Sequence, residues 1–195
     1  MIHKENPVDY KVLDVIKKRW SPRAFAKKSI SNHDILTMLE AARWTASAFN
    51  EQPWRFIVAK KEDKQKYAKL LACLREGNQS WATNAPLLIL AVAKKTFSNT
   101  NGENKLARYD LGQAVSALVL QASELNIYSH QMAGIYPEKA KSAYNLADGY
   151  EAVTAIALGY LGDIEQLPED LQAREKSERI RKTLAEITIE TDLEI

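Results

Sequence analysis

The chain has 195 residues, of which 46% are hydrophobic, and its 27 basic residues nearly balance 25 acidic ones. This length supports one sizeable core, so we expect a single domain over residues 1–195. The near balance of charge argues against a nucleic-acid-binding or membrane-surface protein, because such proteins concentrate a basic excess. No apolar stretch is long enough to span a bilayer and the first residues lack a signal-peptide core, which predicts a cytoplasmic protein.

Helical and strand patterns alternate along the chain without a linker or an internal repeat. The predicted elements, in chain order, are helix 8–19, helix 32–46, strand 55–60, helix 62–75, strand 86–93, helix 103–126, strand 128–133, helix 137–146, strand 151–160, helix 169–184 and strand 186–194. Ser31 is a capping residue before the second helix. The polar segment 96–102 is predicted to be a mobile loop of the kind that forms lids.

The first predicted helix ends in a basic turn, Lys18-Arg19-Trp20-Ser21-Pro22-Arg23. Pro22 cannot lie in a helix interior, so the basic side chains fall at or just past the helix end. Two guanidinium groups with a hydroxyl between them suit a phosphate, because arginine forms planar, bidentate and permanently charged hydrogen bonds. The alternative is that these cations only complement the C-terminus of the helix dipole.

A second turn, Ser47-Ala48-Phe49-Asn50-Glu51-Gln52-Pro53-Trp54, separates a helical pattern from an apolar strand. Asn50 and Gln52 each offer a donor and an acceptor, so they can bind the polar edge of a heteroaromatic ring. Pro53 stiffens the segment and Trp54 anchors it in the core. The alternative is an ordinary connection with solvated amides.

Other reactive side chains fit structural roles better than catalytic ones. Cys73 lies on the apolar side of a helical pattern, which indicates packing. His3, His33 and His130 lack metal-ligand spacing, so we expect surface or capping residues and no metal site. Asp110 is expected to be an ordinary hydrogen-bonded or paired acid. The chain contains neither the G-x-G-x-x-G motif of a resident dinucleotide nor the G-x-S-x-G motif of a serine nucleophile.

Two segments indicate an interface. Residues 114–122 are helical in length and nearly apolar all round, so we expect burial on more than one side. In the tail, residues 186–195, alternating apolar side chains predict a strand. The alternative for the tail is an edge strand of its own sheet.

Together the two turns resemble the nitroreductase family of FMN-dependent oxidoreductases, whose signature is R-x-S-x-R/K-x-F followed by S-x-x-N-x-Q-P-W. Weaker similarities continue at Asn84-Ala85-Pro86, Ala133-Gly134, Ala157-Leu158-Gly159-Tyr160 and Arg179-Ile180-Arg181. The resemblance implies an α+β fold with a mixed central sheet flanked by helices. It also implies an intertwined homodimer with shared active sites, in which the long helix lies at the two-fold axis and the tail reaches the partner.

By the same resemblance, thirteen residues would bind FMN: Arg19, Trp20, Ser21, Arg23, Ser47, Ala48, Asn50, Gln52, Asn78, Ala133, Gly134, Arg179 and Arg181. The four arginines would surround the phosphate and the polar edge of the ring. The loop 47–52 would approach the flavin of the opposite subunit, and the N–H groups near Gly134 would donate toward the ring. Departures from the family pattern are Trp20 beside the phosphate turn, Ala48 for a second serine and Ala133 where some members have glutamate.

The resemblance implies an oxidoreductase in which NADH or NADPH docks transiently, reduces the flavin and leaves before a small-molecule electron acceptor binds. A nitroaromatic, quinone or enone would accept the hydride, because the chemistry belongs to the cofactor and no catalytic side chain is required. Two alternatives stay open at this point. One is a specialised relative, such as a dehalogenase or a flavin-modifying enzyme, and the other is a flavin-binding dimer without turnover.

Overall fold

A computed structural model of the chain describes residues 4–190 and 192, and within them eight α-helices flank a four-stranded sheet. The helices are α1 (Asp14–Lys18), α2 (Asn32–Arg43), α3 (Lys64–Leu71), α4 (Glu76–Ala82), α5 (Ala107–Glu124), α6 (Pro137–Tyr144), α7 (Glu169–Lys176) and α8 (Leu184–Ile187). The strands are β1 (Trp54–Lys60), β2 (Leu87–Lys94), β3 (Tyr128–Met132) and β4 (Tyr150–Gly159). The α+β class is confirmed. No helix in the described ranges has both the length and the hydrophobicity needed to cross a membrane.

The sheet has the order β1-β2-β4-β3, and each neighbouring pair among these strands is antiparallel. The expectation of a mixed sheet is wrong for the described strands. Two strands that are joined by a crossover helix usually lie side by side and parallel in a sheet. Along the chain, β2, α5 and β3 follow one another in this way. Here β4 is inserted between β2 and β3, so each of them meets an antiparallel neighbour instead.

The sheet is buried on both faces, which explains the continuous apolar sequence of β2. Leu88 and Leu90 point into a core cluster shared with α3, α4, α6 and α7. Leu87 and Ile89 point into a second cluster shared with α2 and α5. Cys73 is buried in the first cluster, as its apolar surroundings predict.

The long helix α5 buries one face in its own chain. Leu111, Val115 and Leu118 are buried, whereas Gly112 and Ser116 on the opposite face are exposed. The chain alone therefore does not cover the helix on more than one side, and burial of its second face stays a prediction. The N-terminal cap predicted for α2 is confirmed, because Ser31 Oγ accepts a hydrogen bond from the backbone N–H of Asp34 at 3.0 Å.

The helix predicted over 62–75 is shorter, and α4 was not predicted. After α3 the chain pairs with the segment that follows β3: the N–H of Arg75 donates to the carbonyl of Gly134 at 2.9 Å, and the N–H of Tyr136 donates to that of Cys73 at 2.8 Å. These long-range backbone bonds replace the helical bonds that local periodicity favours. The helix then restarts as α4.

Two further predicted helices are also shorter than expected. The helix over 8–19 is reduced to α1, because the chain folds back so that the N–H of Asn6 donates to the carbonyl of Lys17 at 2.8 Å. The helix over 169–184 ends at Lys176, and the following residue, Ser177, has extended backbone angles.

The strand predicted over 186–194 is wrong in its described part. Thr183 caps the short helix α8 in a reciprocal capping box with Glu186, and this local motif favours a helical turn over an extended chain. The side chains of Ile187 and Ile189 are exposed. Residues 191 and 193–195 lie outside the described residues, as does His3.

Candidate active site

The basic turn follows α1 directly, because Arg19 is the C-terminal cap of that helix and has extended backbone angles. Arg19 donates from Nη1 to the hydroxyl of Ser21 at 3.3 Å. The side chain of Trp20 is only 5% exposed, and its ring meets that of Tyr128 edge to face with centroids 6.2 Å apart. The turn is therefore fixed against β3 by an aromatic anchor.

The C-terminal segment brings two more arginines to this turn. Arg179 donates from Nη1 to the backbone carbonyl of Arg19 at 2.9 Å, although 160 positions separate them in sequence. A cavity of about 180 Å³ joins the two segments. Its lining consists of Lys4, Arg19, Trp20, Ser21, Arg23, Arg174, Glu175, Ser177, Glu178, Arg179 and Arg181. The four arginines singled out from the sequence, Arg19, Arg23, Arg179 and Arg181, are hereafter the arginine cluster.

The charges of the arginine cluster are only partly compensated. Glu175 on α7 is 1% exposed and accepts from both the guanidinium and the backbone N–H of Arg23, each at 3.1 Å. Within the described ranges no carboxylate oxygen lies within 4.0 Å of the side-chain nitrogens of the other three members. Burial lowers the pKa of Arg19 and of Arg179, and the charge of Arg181 lowers both further. Such a set of mutually repelling cations suits an anion, whose negative charge would offset the repulsion.

A second predicted group lies where β3 ends and α4 begins. Asn78 donates from Nδ2 to the backbone carbonyl of Gly134 at 3.0 Å. A Cβ atom at Gly134 would lie 2.6 Å from that nitrogen, so glycine is required for this close approach. Within the described structure the N–H of Gly134 has no protein acceptor. The segment therefore presents a free backbone donor.

His130 links the two groups and is not the surface or capping residue that the sequence predicts. Its Nδ1 lies 3.0 Å from the carbonyl oxygen of Pro22, and its ring centroid lies 4.5 Å from that of Trp81 on α4. Burial, together with the nearby charge of Arg23, lowers the pKa of His130 to about 4. The imidazole is therefore neutral at pH 7 and donates from Nδ1 to Pro22. His33 is exposed, as predicted.

The loop 47–52 has an unusual backbone. Phe49, Asn50 and Gln52 all have φ between 51° and 55°, a left-handed conformation that costs non-glycine residues free energy. Internal bonds hold it: Ser47 Oγ accepts from the N–H of Gln52, and Gln52 Nε2 donates to the carbonyl of Asn50, both at 3.0 Å. The N–H of Ala48 donates to buried Asp110 at 3.1 Å. The hydrogen-bonded role predicted for Asp110 is confirmed.

The segment predicted as a lid is attached to this loop. Glu51 accepts hydrogen bonds from the N–H and the hydroxyl of Ser98, and it pairs with Lys94 at 3.2 Å. The ring of Phe49 is 93% exposed and touches that of Phe97 edge to face with centroids 5.9 Å apart. The two segments therefore form one surface feature.

The loop 47–52 and the arginine cluster lie at opposite edges of the sheet. The loop leads directly into edge strand β1, whereas Trp20 and His130 fix the basic turn to edge strand β3. Neighbouring strands are about 4.8 Å apart, so three strand spacings separate the two edges by about 14 Å. The structure brings together the arginine cluster with Trp20 and Ser21, and separately Asn78 with Gly134 and its neighbour Ala133. It does not bring Ser47, Ala48, Asn50 and Gln52 to them.

Three residues near the arginine cluster were not identified from the sequence: Lys4, His130 as a contact of the basic turn, and Glu175. None has a local motif, because each reaches the cluster through tertiary contacts. For Glu175 alone the sequence offered a chemical signal, because an acidic residue among the basic residues of the C-terminal region can orient an arginine. Within the described ranges, no group of three or more His, Cys, Asp or Glu side chains is arranged to hold a metal ion.

Comparison with known proteins gives consistent results. The model of the nitroreductase family matches residues 16–76 and 71–160, which together make up more than half of the chain. The major NAD(P)H-flavin oxidoreductase of Aliivibrio fischeri is 28% identical over 193 aligned positions, and the match covers 76% of this chain and 87% of that protein.

Solved structures are similar to this chain over most of its length. A crystal structure described as an oxidoreductase containing FMN is 35% identical, covers 97% of each chain and superposes with a TM-score of 0.88. A nitroreductase family protein from Clostridium difficile 630 is 26% identical, covers 93% of this chain and 99% of its own, and superposes with a TM-score of 0.71. The chain therefore belongs to the nitroreductase family.

Proposed function

We propose that this protein is an FMN-dependent oxidoreductase that transfers electrons from NADH or NADPH to a nitroaromatic, quinone or enone acceptor. The observation that carries the proposal is the arginine cluster, in which Arg19, Arg179 and Arg181 have no carboxylate partner among the described residues. Such a cluster suits the dianionic phosphate of a mononucleotide. The names of the two relatives above, a flavin oxidoreductase and an FMN-containing oxidoreductase, support the same cofactor.

The residues present fit FMN at both ends. Arg19, Arg179 and Arg181, with the hydroxyl of Ser21, would hold the phosphate, while Glu175 keeps Arg23 in a fixed orientation. At the other end, the free N–H of Gly134 would donate to the polar edge of the ring, where negative charge develops on reduction. Ala133 and Asn78 would complete this wall. Bound FMN would supply the hydride chemistry, since no side chain of the protein carries it.

The proposal includes a homodimer with shared sites. Asn50 and Gln52 are predicted to contact the ring, yet they lie across the sheet from the arginine cluster, and three strand spacings alone separate the two edges by about 14 Å. A second copy of the chain would bring its own loop 47–52, with Ser47 and Ala48, to the cofactor. Exposed apolar side chains on the C-terminal segment, among them Ile180, Leu184, Ile187 and Ile189, support an interface there.

The remaining parts of the proposal concern the whole chain. Both core clusters share one sheet, which supports a single FMN-binding domain over residues 1–195. The protein is proposed to act in the cytoplasm on small molecules, without a nucleic-acid or membrane partner. NAD(P)H and the acceptor would use the same open face of the flavin in turn.

The purified protein tests this function directly. It should be yellow, release FMN rather than FAD on denaturation, and lose its visible flavin absorbance when NADH or NADPH is added without oxygen. An added acceptor should restore the absorbance, and double-reciprocal plots should be parallel because the two substrates bind in turn. A colourless protein that FMN cannot reconstitute contradicts the proposal, and intersecting lines contradict the shared face. Flavin that stays oxidised would instead indicate a binding protein.

A further inference from the structure

The first described residues form a strap, residues 4–6, against the C-terminal end of α1. The side chain of Asn6 donates from Nδ2 to the backbone carbonyl of Ile16 at 2.6 Å. The backbone N–H of Asn6 donates to the backbone carbonyl of Lys17 at 2.8 Å. Glu5 pairs with the ammonium group of Lys17 at 2.8 Å. Because Arg19 caps the same helix, these contacts hold the strap beside the basic turn.

Lys4 extends from this strap into the wall of the arginine cluster. Its Nζ donates to the backbone carbonyl of Ser177 at 2.5 Å and lies 5.5 Å from the centroid of a Trp20 ring. Within the described residues no carboxylate oxygen lies within 4.0 Å of this nitrogen. Burial lowers the pKa of Lys4, the charge of Glu175 raises it and that of Arg179 lowers it. The ammonium group is thus partly buried and held by neutral acceptors.

Lys4 also lies at a boundary between two cavities. A larger cavity, of about 520 Å³, adjoins the one at the arginine cluster, and both are lined by Lys4, Ser177 and Arg179. The bond between Lys4 and Ser177 also joins the N-terminal strap to the segment that carries Arg179. The contact therefore lies in the lining that the two cavities share, which also includes Glu178.

We propose that Lys4 is a further phosphate-binding residue, which closes the phosphate end of the cofactor site and selects a terminal phosphate over a diphosphate. This inference rests on the proposed function. The four-carbon stem of lysine is flexible, so the ammonium group can turn from a neutral carbonyl to a phosphate oxygen. A hydrogen bond between two charged groups is stronger than one to a neutral carbonyl. A dinucleotide such as FAD would extend past the phosphate and displace the contact between Lys4 and Ser177.

The test compares three flavins on the full-length chain: FMN, FAD and riboflavin, which has no phosphate. Dissociation constants are measured by flavin fluorescence for the wild type, Lys4→Met and Lys4→Arg. Lys11→Met is the matched control, because Lys11 is an exposed lysine of the same N-terminal region. Wild-type protein that does not bind FMN contradicts the proposed function itself, before any variant is compared.

Lys4→Met should weaken FMN binding about tenfold, because it removes a partly exposed charge that contacts the phosphate. It should change riboflavin binding less than about twofold, because riboflavin has no phosphate for this charge to contact. Lys4→Arg should retain FMN binding within about threefold because it keeps the charge, and Lys11→Met should match the wild type. The preference for FMN over FAD should fall in Lys4→Met. Unchanged FMN binding, or equal weakening of FMN and riboflavin, overturns the phosphate contact. An unchanged preference for FMN over FAD overturns the closing role.

Discussion

Arg179 donates a hydrogen bond to the backbone carbonyl of Arg19, which joins the C-terminal segment to the basic turn. The bond uses one nitrogen of the Arg179 guanidinium and fixes its orientation. Arg179 therefore contributes both a positive charge to the arginine cluster and a link between its two halves.

Arg19→Ala and Arg179→Ala should each weaken FMN binding at least about tenfold, because one charged hydrogen bond contributes roughly 1.5–3 kcal/mol. The FMN affinity of Arg179→Lys should lie between those of the alanine variants and the wild type, because lysine keeps the charge but lacks the planar group. Flavin fluorescence measures the dissociation constants. Arg43→Ala, at an exposed arginine of α2, is the control. Unchanged binding in Arg179→Ala would remove this residue from the phosphate site.

Gly134→Ala should force the side chain of Asn78 away, because the new Cβ would lie 2.6 Å from its Nδ2. The lost hydrogen bond should cost about 1 kcal/mol of unfolding free energy. Combining Gly134→Ala with Asn78→Ala should cost less than the sum of the two single changes, because both remove the same contact. Urea unfolding of the four proteins measures the coupling. Additive costs would show that the contact does not constrain Gly134.

His130 should make stability depend on pH. Its pKa is about 4 in the folded chain against an ordinary value of 6.5, so between these values the unfolded chain binds a proton that the folded chain does not. Stability of the flavin-free protein should therefore fall as the pH drops through this window. The loss from pH 7 to pH 5 should be about 2 kcal/mol.

His130→Asn is the informative variant, because asparagine keeps an N–H donor for the carbonyl of Pro22 but cannot titrate. Its unfolding free energy should change less between pH 7 and pH 5 than that of the wild type. His33→Asn, at an exposed position, should leave the pH dependence unchanged. Identical slopes for wild type and His130→Asn would exclude this histidine as the source.

Asn50 has a left-handed backbone with φ of 55° and an exposed side chain. Asn50→Gly should therefore remove the amide with a change in unfolding free energy within about 0.5 kcal/mol, because glycine adopts this conformation freely. Turnover with NAD(P)H and an acceptor should fall nevertheless. Asn126, which follows α5, has the same φ of 55°. Asn126→Gly is therefore the control and should change neither turnover nor unfolding free energy. Equal losses of activity and stability in Asn50→Gly would indicate a purely structural turn.

Deletion of residues 186–195 should cause loss of FMN together with dissociation or aggregation, although no member of the arginine cluster is removed. The segment carries Ile187 and Ile189, whose exposed side chains are proposed to pack against a second copy. Sizing chromatography with flavin absorbance measures both effects. Full-length Ile187→Ser with Ile189→Ser should weaken the dimer in the same direction. A truncated monomer with its full FMN content would refute the shared site.

The sequence by itself determined the elements whose signals are local. Ser31 marks the start of α2, the apolar run of residues 86–93 predicts the strand β2, and the two signature turns identify the family. These features depend on neighbouring residues, so propensity, capping and side-chain periodicity are sufficient to predict them.

Only the tertiary structure decided how the distant segments meet. The backbone bonds of Cys73 and Arg75 to the segment after β3 interrupt a predicted helix, and the capping box at Thr183 replaces a predicted strand. The insertion of β4 between β2 and β3 made the described sheet antiparallel. Lys4 and Glu175 reach the arginine cluster through contacts that no local pattern encodes. Long-range hydrogen bonds and ion pairs depend on how the chain packs, and a local sequence pattern does not specify that packing.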